Sequence, residues 1–208
     1  YGFREGRCCA DAIAAAFNAL SKPTSATYVL ECDITGCYDN IAKDWMLRNI
    51  PMDTEVLRKW LEAGYLEDGH WYPTHKGTPQ GGIISPTLAN MTLDGLERAI
   101  REAVPRHSKV NFVRYADDSI VTGKSKRLLE EVVRPVVEAF LRPRGLELSS
   151  EKTVLTSIHD GFTFLGQTFR KVGGVLHIVP AKEGVHALLG KIAELLRRSL
   201  TAPMEKLI

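Results

Sequence analysis

No run of about eighteen apolar residues occurs in the 208-residue chain, which excludes a membrane-spanning helix of ordinary length. No signal-peptide pattern opens it, and Tyr1 stands where a start methionine would. The chain therefore reads as a piece of something longer, cut at both ends. Cysteine is scarce: only Cys8, Cys9, Cys32 and Cys37 occur, with neither a C-x-x-C pair nor a Cys/His zinc spacing. That argues against a structural zinc site, and all four read as reduced thiols of a cytoplasmic protein. The histidines (His70, His75, His107, His159, His177 and His186) are scattered without metal-like spacing and receive no role. Low-complexity segments and solenoid repeats are absent as well.

What is present is a 44% hydrophobic composition, enough for one core and part of a second domain. Net charge is only +2 but uneven: residues 1–100 carry −4 and residues 101–208 carry +6. A basic second half suits a phosphate-bearing partner and equally suits a solvated basic surface.

Apolar periodicity predicts a helix over 8–20, with Cys9, Ile13, Phe17 and Leu20 as its stripe. Residues 27–33 read as a strand with Tyr28, Leu30 and Cys32 on one face and Val29, Glu31 and Asp33 on the other. Helices follow near 41–49 and from Thr54 to Ala63, the second capped by Asp53 and ended by Gly64. A short strand at 70–74 leads to the loop Gly77-Thr78-Pro79-Gln80-Gly81-Gly82. Ser85 is the expected N-cap, and Pro86 the first residue, of a long helix carrying Leu88, Met91, Leu96, Ile100 and Val104 on one side. Strands at 110–115 and 119–122 meet at an acidic turn. A helix over 126–142, kinked at Pro135, follows. A strand or hairpin region covers about 146–158. Residues 162–169 and 175–179 form a hairpin across Gly173 and Gly174. An amphipathic helix spans 183–200, with Val185, Leu188, Leu189, Ile192, Leu195 and Leu196 on its apolar side. The central order of strand, helix, strand, strand, helix, strand is the split βαβ pattern of an α+β, ferredoxin-like sheet.

Asp33 ends the first strand of that pattern, and Asp117 and Asp118 occupy the turn between the second and third. With those strands as central neighbours of the first, three carboxylates 84 positions apart in sequence would gather at one place. Such a cluster is costly without cations, and hard oxygen ligands select magnesium or manganese. The bland reading is a hairpin turn in which Asp is simply common. The apolar flanks Phe112, Val113 and Tyr115 favour acids placed at the end of buried strands.

Tyr115-Ala116-Asp117-Asp118 resembles the YxDD box of reverse transcriptases in the form found in bacterial group II intron enzymes. Asp33-Ile34-Thr35-Gly36-Cys37-Tyr38-Asp39 is similar to that family's first aspartate motif. Gly77 to Gly82 with Ser85-Pro86 is similar to its template-and-nucleotide loop. Tyr1 to Arg7 resembles the segment before the palm, with Glu5 where the family more often has Pro. Leu146 to Thr153 resembles the following motif, and Phe164-Leu165-Gly166 the grip hairpin that contacts the primer. The resemblance covers nearly the whole chain.

It implies the palm of a right-hand polymerase: the end of the fingers over 1–26, the palm over 27–180, and the start of a helical thumb, or maturase domain, over 181–208. It implies an RNA-directed DNA polymerase that uses Mg2+, or Mn2+, held by Asp33, Asp117 and Asp118. Ile34, Thr35, Gly36, Cys37, Tyr38, Gln80, Gly81 and Lys152 would face the nucleotide, with Tyr38 as the steric gate against ribose. Arg4, Arg7, Pro79, Leu165 and Gly166 would contact nucleic acid. The implied partners are an RNA template, a DNA primer, deoxynucleoside triphosphates and intron RNA, with no membrane, in the bacterial cytoplasm. Three other readings remain open: an intron-RNA-binding maturase module without catalysis, a retron-type reverse transcriptase, and a nucleotide cyclase on the same palm. Intact aspartates argue against the first; Tyr38 and the Pro79-Gln80-Gly81 loop argue against the last.

Overall fold

A computed structural model describes residues 1–74, 76–78 and 82–199. The first helix is α1 (Cys9–Leu20), at whose start the Asp11 carboxylate accepts the Cys8 backbone N–H at 2.7 Å. Strand β1 (Tyr28–Cys32) runs into a short α2 (Cys37–Asn40), followed by α3 (Lys43–Asn49) and α4 (Thr54–Glu62). Asp53 caps α4 by accepting the Val56 N–H at 2.9 Å, and Gly64 takes the left-handed conformation just past its end, both as expected. Strands β2 (Tyr65–Glu67) and β3 (His70–Tyr72) form a small hairpin of their own, of which the sequence reading had only the second arm. Next come α5 (Ser85–Thr92), α6 (Leu96–Ala103), β4 (Phe112–Tyr115) and β5 (Asp118–Gly123).

The helical stretch that follows comprises α7 (Lys126–Leu128), a π turn (Leu129–Val133) and α8 (Arg134–Leu141), closed by a 3₁₀ turn at Arg142–Arg144. Pro135 has no N–H to give to the preceding turn, and the helix widens into the π form just before it. The chain ends its described part with β6 (Val154–Ser157), β7 (Phe162–Phe164), β8 (Gln167–Val172), β9 (Val175–Pro180) and α9 (Lys182–Ser199).

The main sheet has the order β4-β5-β1-β6 and is antiparallel at each of those pairings. This is the split βαβ, α+β arrangement, with one difference from expectation. Only β5 neighbours β1 on that side, while β4 is an edge strand. Asp117 and Asp118 still reach β1, because β5 runs antiparallel to it and begins where β1 ends.

Both faces of β1 are covered. Leu30 and Cys32 join the larger core with α2–α6, α8 and the π turn, through Met46, Leu57, Leu88, Ile100, Leu129 and Val137. Val29 faces a second core of Ala12, Ala16, Leu20, Val113, Ile120, Phe162, Phe164 and Phe169. A three-stranded sheet, β7-β8-β9, supplies the phenylalanines, and Phe162 stacks on Phe169 at 5.0 Å.

Helix α1 buries Ala12, Ala16 and Leu20, while Phe17 and Cys9 are exposed, so the stripe Cys9-Ile13-Phe17-Leu20 is rotated from its expected place. Small alanines let the helix lie close to the sheet, which outweighs burying one ring at the rim. The long helix expected after Ser85 is two helices. Gly95, at φ +87°, breaks it, and Met91 is exposed. Its N-cap is Ile84 rather than Ser85, with Pro86 in the second helical position. The segment 162–169 is itself a hairpin, turned at Leu165 (φ +50°) and Gly166 (φ +73°), before the expected turn at Gly173-Gly174. Among the described residues, no helix is long and apolar enough to cross a membrane.

Candidate active site

The site is built at one end of the central sheet. The last β1–β5 pair is Cys32 with Ser119, so Asp33 and Asp118 lie one step further along adjacent strands, at the same edge. The last β4–β5 pair is Tyr115 with Asp118, which leaves Ala116 and Asp117 as a two-residue turn. Ala116 has φ +55°. Left-handed backbone costs an L-residue about 1–2 kcal/mol, and this place in such a turn usually falls to glycine. The strain sits next to the acid that the sequence marks for chemistry, as strain at functional sites commonly does.

Asp118 retains solvent access, yet partial loss of its water shell pushes its carboxyl above the ordinary range. The charges of Asp117 and Asp33 push it further, and Lys152 draws it back. The structure thus brings Asp117 and Asp33 within electrostatic reach of Asp118. Among the described residues, no three His, Cys, Asp or Glu side chains converge as a ready-made cage for a metal ion.

A cleft of about 160 Å³ opens beside them, lined among others by Asp33, Asp118, Lys152, Thr163 and Leu165. Lys152 Nζ is 3.8 Å from Asp33 Oδ2. The turn residue Leu165 therefore faces the same cleft as the acids, with Gly166 beside it at the hairpin tip.

After Asp33 the chain is fixed by its backbone. Ile34 is buried and bridges Leu148, and the Thr35 N–H donates to the Glu147 carbonyl at 3.0 Å. Gly36 (φ +47°) turns the chain into α2, where Cys37 is buried and Tyr38 is half-buried against the larger core. Burial pushes the Tyr38 hydroxyl pKa up, and the Asp117 charge adds to it. Burial likewise pushes the Cys37 thiol up to about 12. The Thr78 N–H donates to the Tyr38 carbonyl at 2.7 Å, and a Cβ on Gly77 would come within 2.0 Å of that oxygen. The start of the glycine-rich loop is thereby docked on the backbone of Tyr38. Pro79, Gln80 and Gly81 lie outside the described residues.

Arg4 and Arg7 line a separate open pocket with Arg114 and Asp94; Arg7 pairs with Asp11 at 3.8 Å. They are not lining residues of the cleft at Asp33. Sequence reasoning passed over Arg114, Asn90 and Glu31. Arg114 is a charge inside an otherwise apolar strand, and that is the signal that could have found it: such a cation needs partners.

A family model described as "Reverse transcriptase (RNA-dependent DNA polymerase)" matches residues 1–169. The "Group II intron-encoded protein LtrA" of Lactococcus lactis subsp. cremoris is 26% identical, over 82% of this chain and 39% of that protein. An "Uncharacterized 91 kDa protein in cob intron" of Schizosaccharomyces pombe is 26% identical, over 96% of this chain and 33% of that one. The chain thus spans between about a third and two fifths of these relatives' lengths. Apo telomerase from Candida tropicalis superposes with a TM-score of 0.60 at 15% identity, over 82% of this chain and 35% of that chain. That likeness speaks for the fold, an α+β polymerase palm.

Proposed function

The chain belongs to the reverse transcriptase family, and we propose that it is the palm-centred part of a group II intron-encoded RNA-directed DNA polymerase. The observation that carries this reading is the carboxylate triad at the end of β1 and the β4–β5 turn. Burial first, and then the charges of Asp117 and Asp33, raise the Asp118 pKa, and the three groups offer only hard oxygen donors. Such a group suits Mg2+ or Mn2+ completed by substrate phosphates, which is why a closed cage is not required beforehand. Bound there, a divalent pair would acidify the primer 3′-hydroxyl and neutralise charge on the triphosphate.

The remaining roles belong to the chain's own groups. Tyr38, within electrostatic reach of Asp117, would set its ring against the nucleotide sugar. Lys152 stands at the cleft as a counter-charge for phosphates. Ile34, Thr35, Gly36 and Cys37 form the backbone bend beneath the triphosphate, and Gln80 and Gly81 would pack on the base and sugar. Leu165 and Gly166 would support the primer strand, with Pro79, Arg4 and Arg7 toward the template. In domain terms, 1–26 is the end of the fingers, 27–180 the palm and 181–208 the start of the thumb. RNA template, DNA primer, deoxynucleotides and the host intron RNA are the partners, in a bacterial cytoplasm.

The test is primer extension on an RNA template by the full-length protein with Mg2+. Asp33→Asn and Asp117→Asn should abolish extension while leaving binding of the primer–template duplex intact. A wild-type protein that binds intron RNA but extends nothing would support the maturase reading instead.

A further inference from the structure

The Ala116–Asp117 turn is held from two sides by groups that the polymerase reading leaves without a role. Arg114, on β4, points its guanidinium along its own strand: Nη1 donates to the Ala116 carbonyl at 2.7 Å and to Asn90 Oδ1 at 3.0 Å. Asn90, on α5, donates through Nδ2 to the Gly2 carbonyl at 2.9 Å. These partners fix the orientation of the Asn90 amide, since the flipped amide would set an NH2 against the guanidinium and an oxygen against a carbonyl. Gly2 in turn lies flat on the turn. A Cβ there would sit 2.6 Å from the Ala116 nitrogen and 3.2 Å from the Tyr115 carbonyl carbon.

The Ala116 carbonyl belongs to the peptide plane that carries Asp117. Fixing that oxygen fixes the plane, and with it the direction in which the Asp117 side chain leaves the backbone. An alanine at φ +55° persists only where its surroundings over-determine it. Here the over-determination has an address: a guanidinium on the carbonyl side and the Gly2 backbone on the nitrogen side, with Asn90 tying the two together.

Resting on the polymerase reading for its functional consequence, we infer that Arg114 and Asn90 are positioning residues which clamp the strained Ala116–Asp117 turn, and so hold Asp117 in place for phosphoryl transfer. Neither is among the residues lining the cleft at Asp33. Their effect belongs on kcat rather than on nucleotide KM, because displacing a reacting group by about 1 Å costs on the order of a hundredfold in rate.

The experiment uses the full-length protein and the variants Arg114→Lys and Asn90→Ser, each alone and combined with Ala116→Gly. Arg114→Lys keeps the charge but loses the planar fork. Glycine adopts positive φ freely, so it should retain the turn without the clamp. Three quantities are read: steady-state kcat and KM on an RNA template, Tm, and hydrogen exchange over residues 115–119. Each single variant should lose about 10- to 100-fold in kcat with KM within about threefold, and should exchange faster over 115–119 than over β1. Ala116→Gly should return kcat at least about tenfold in each background without returning Tm. A kcat loss that follows Tm and is not relieved by glycine would make these residues ordinary core struts and overturn the inference. So would unchanged exchange at the turn. If the wild-type protein fails to extend primers while the exchange pattern appears as described, the polymerase reading falls and the clamp stands.

Discussion

Lys152 Nζ stands 3.8 Å from Asp33 Oδ2, and the loop that carries it is tied to the same aspartate's backbone, since the Ser149 N–H donates to the Asp33 carbonyl at 2.8 Å. The pair is exposed on the lysine side, so it contributes about 0–1 kcal/mol to folding. Lys152→Met should therefore leave Tm within about 2 °C. Its effect should fall on the nucleotide: KM for deoxynucleotides should rise about 5- to 10-fold, the loss of roughly 1 kcal/mol of charge attraction, and Lys152→Arg should recover most of it. A KM equal to wild type in the methionine variant would reduce Lys152 to a bystander.

Much of this geometry was legible in the sequence, for identifiable reasons. The alternation in β1 and the apolar flanks of the aspartate turn carry a period-2 signal, and a hairpin of two residues then leaves little freedom in where Asp117 and Asp118 fall. Asp53 and Gly64 announced the ends of α4 through their own backbone chemistry. The errors lie where tertiary packing decides. Helix α1 turned its alanines inward because closeness to the sheet was worth more than covering Phe17. Gly95 broke a helix whose apolar spacing alone ran on smoothly. Arg114 stands out as a lone charge in an apolar strand, but its partners do not, because the Asn90 amide and the Ala116 and Gly2 carbonyls meet it only through the tertiary fold.

Glu31 sets a pH dependence. Its carboxylate accepts the Thr156 hydroxyl at 3.2 Å and the Thr163 backbone N–H, linking the main sheet to β7. Burial nevertheless raises its pKa, and these two hydrogen bonds only partly offset that. With a raised folded-state pKa, the native protein holds the proton more tightly than the unfolded chain. Ionisation thus costs stability as pH rises from the ordinary carboxylate range through the folded value. Glu31→Gln cannot ionise; its one amide oxygen can accept the Thr163 N–H, while the Thr156 hydroxyl can turn to accept from the amide NH2. Urea unfolding should show the variant gaining on wild type between pH 4 and pH 7.5. A difference between the two proteins that does not change with pH, or that shrinks, would show that the Glu31 charge is well solvated.

Lys171 is 6% exposed, and among the described residues no carboxylate is one of its hydrogen-bond partners. Its ammonium donates to the Leu20 carbonyl at 2.9 Å, the Lys22 carbonyl at 2.6 Å and Ser25 Oγ at 2.9 Å. These acceptors cluster at the C-terminal end of α1, where the helix dipole favours a cation. Lys171→Met keeps the length of the side chain but strands the acceptors. It should cost about 1.5–3 kcal/mol by chemical denaturation, the usual range for buried hydrogen bonds to a charged group. The loss should appear with little change in kcat measured well below Tm. A variant as stable as wild type would mean that water replaces the ammonium there.

Tyr38 carries the last prediction, and the structure gives it two constraints. Its backbone is locked, because its carbonyl accepts the Thr78 N–H at 2.7 Å and the Gly77 backbone lies hard against it. Its ring is half-buried against the larger core, with the hydroxyl pKa raised by burial and by Asp117. On the proposed reading, a nucleotide sugar placed over the aspartates would bring its 2′-hydroxyl against this ring. Tyr38→Val removes that bulk. In the full-length protein, the ratio of kcat/KM for deoxy- over ribonucleotides should fall on the order of tenfold or more. Tyr38→Phe keeps the ring and loses only the hydroxyl, so its ratio should remain near wild type. Valine will also cost some stability, since the ring packs on the core, but a ratio measured on one enzyme sample does not depend on how much of it is folded. Primer extension with matched deoxy- and ribonucleotide series decides the matter. An unchanged ratio in Tyr38→Val would make the ring a core residue that happens to border the site. A fall in Tyr38→Phe equal to that in Tyr38→Val would move the discrimination from steric bulk to the hydroxyl.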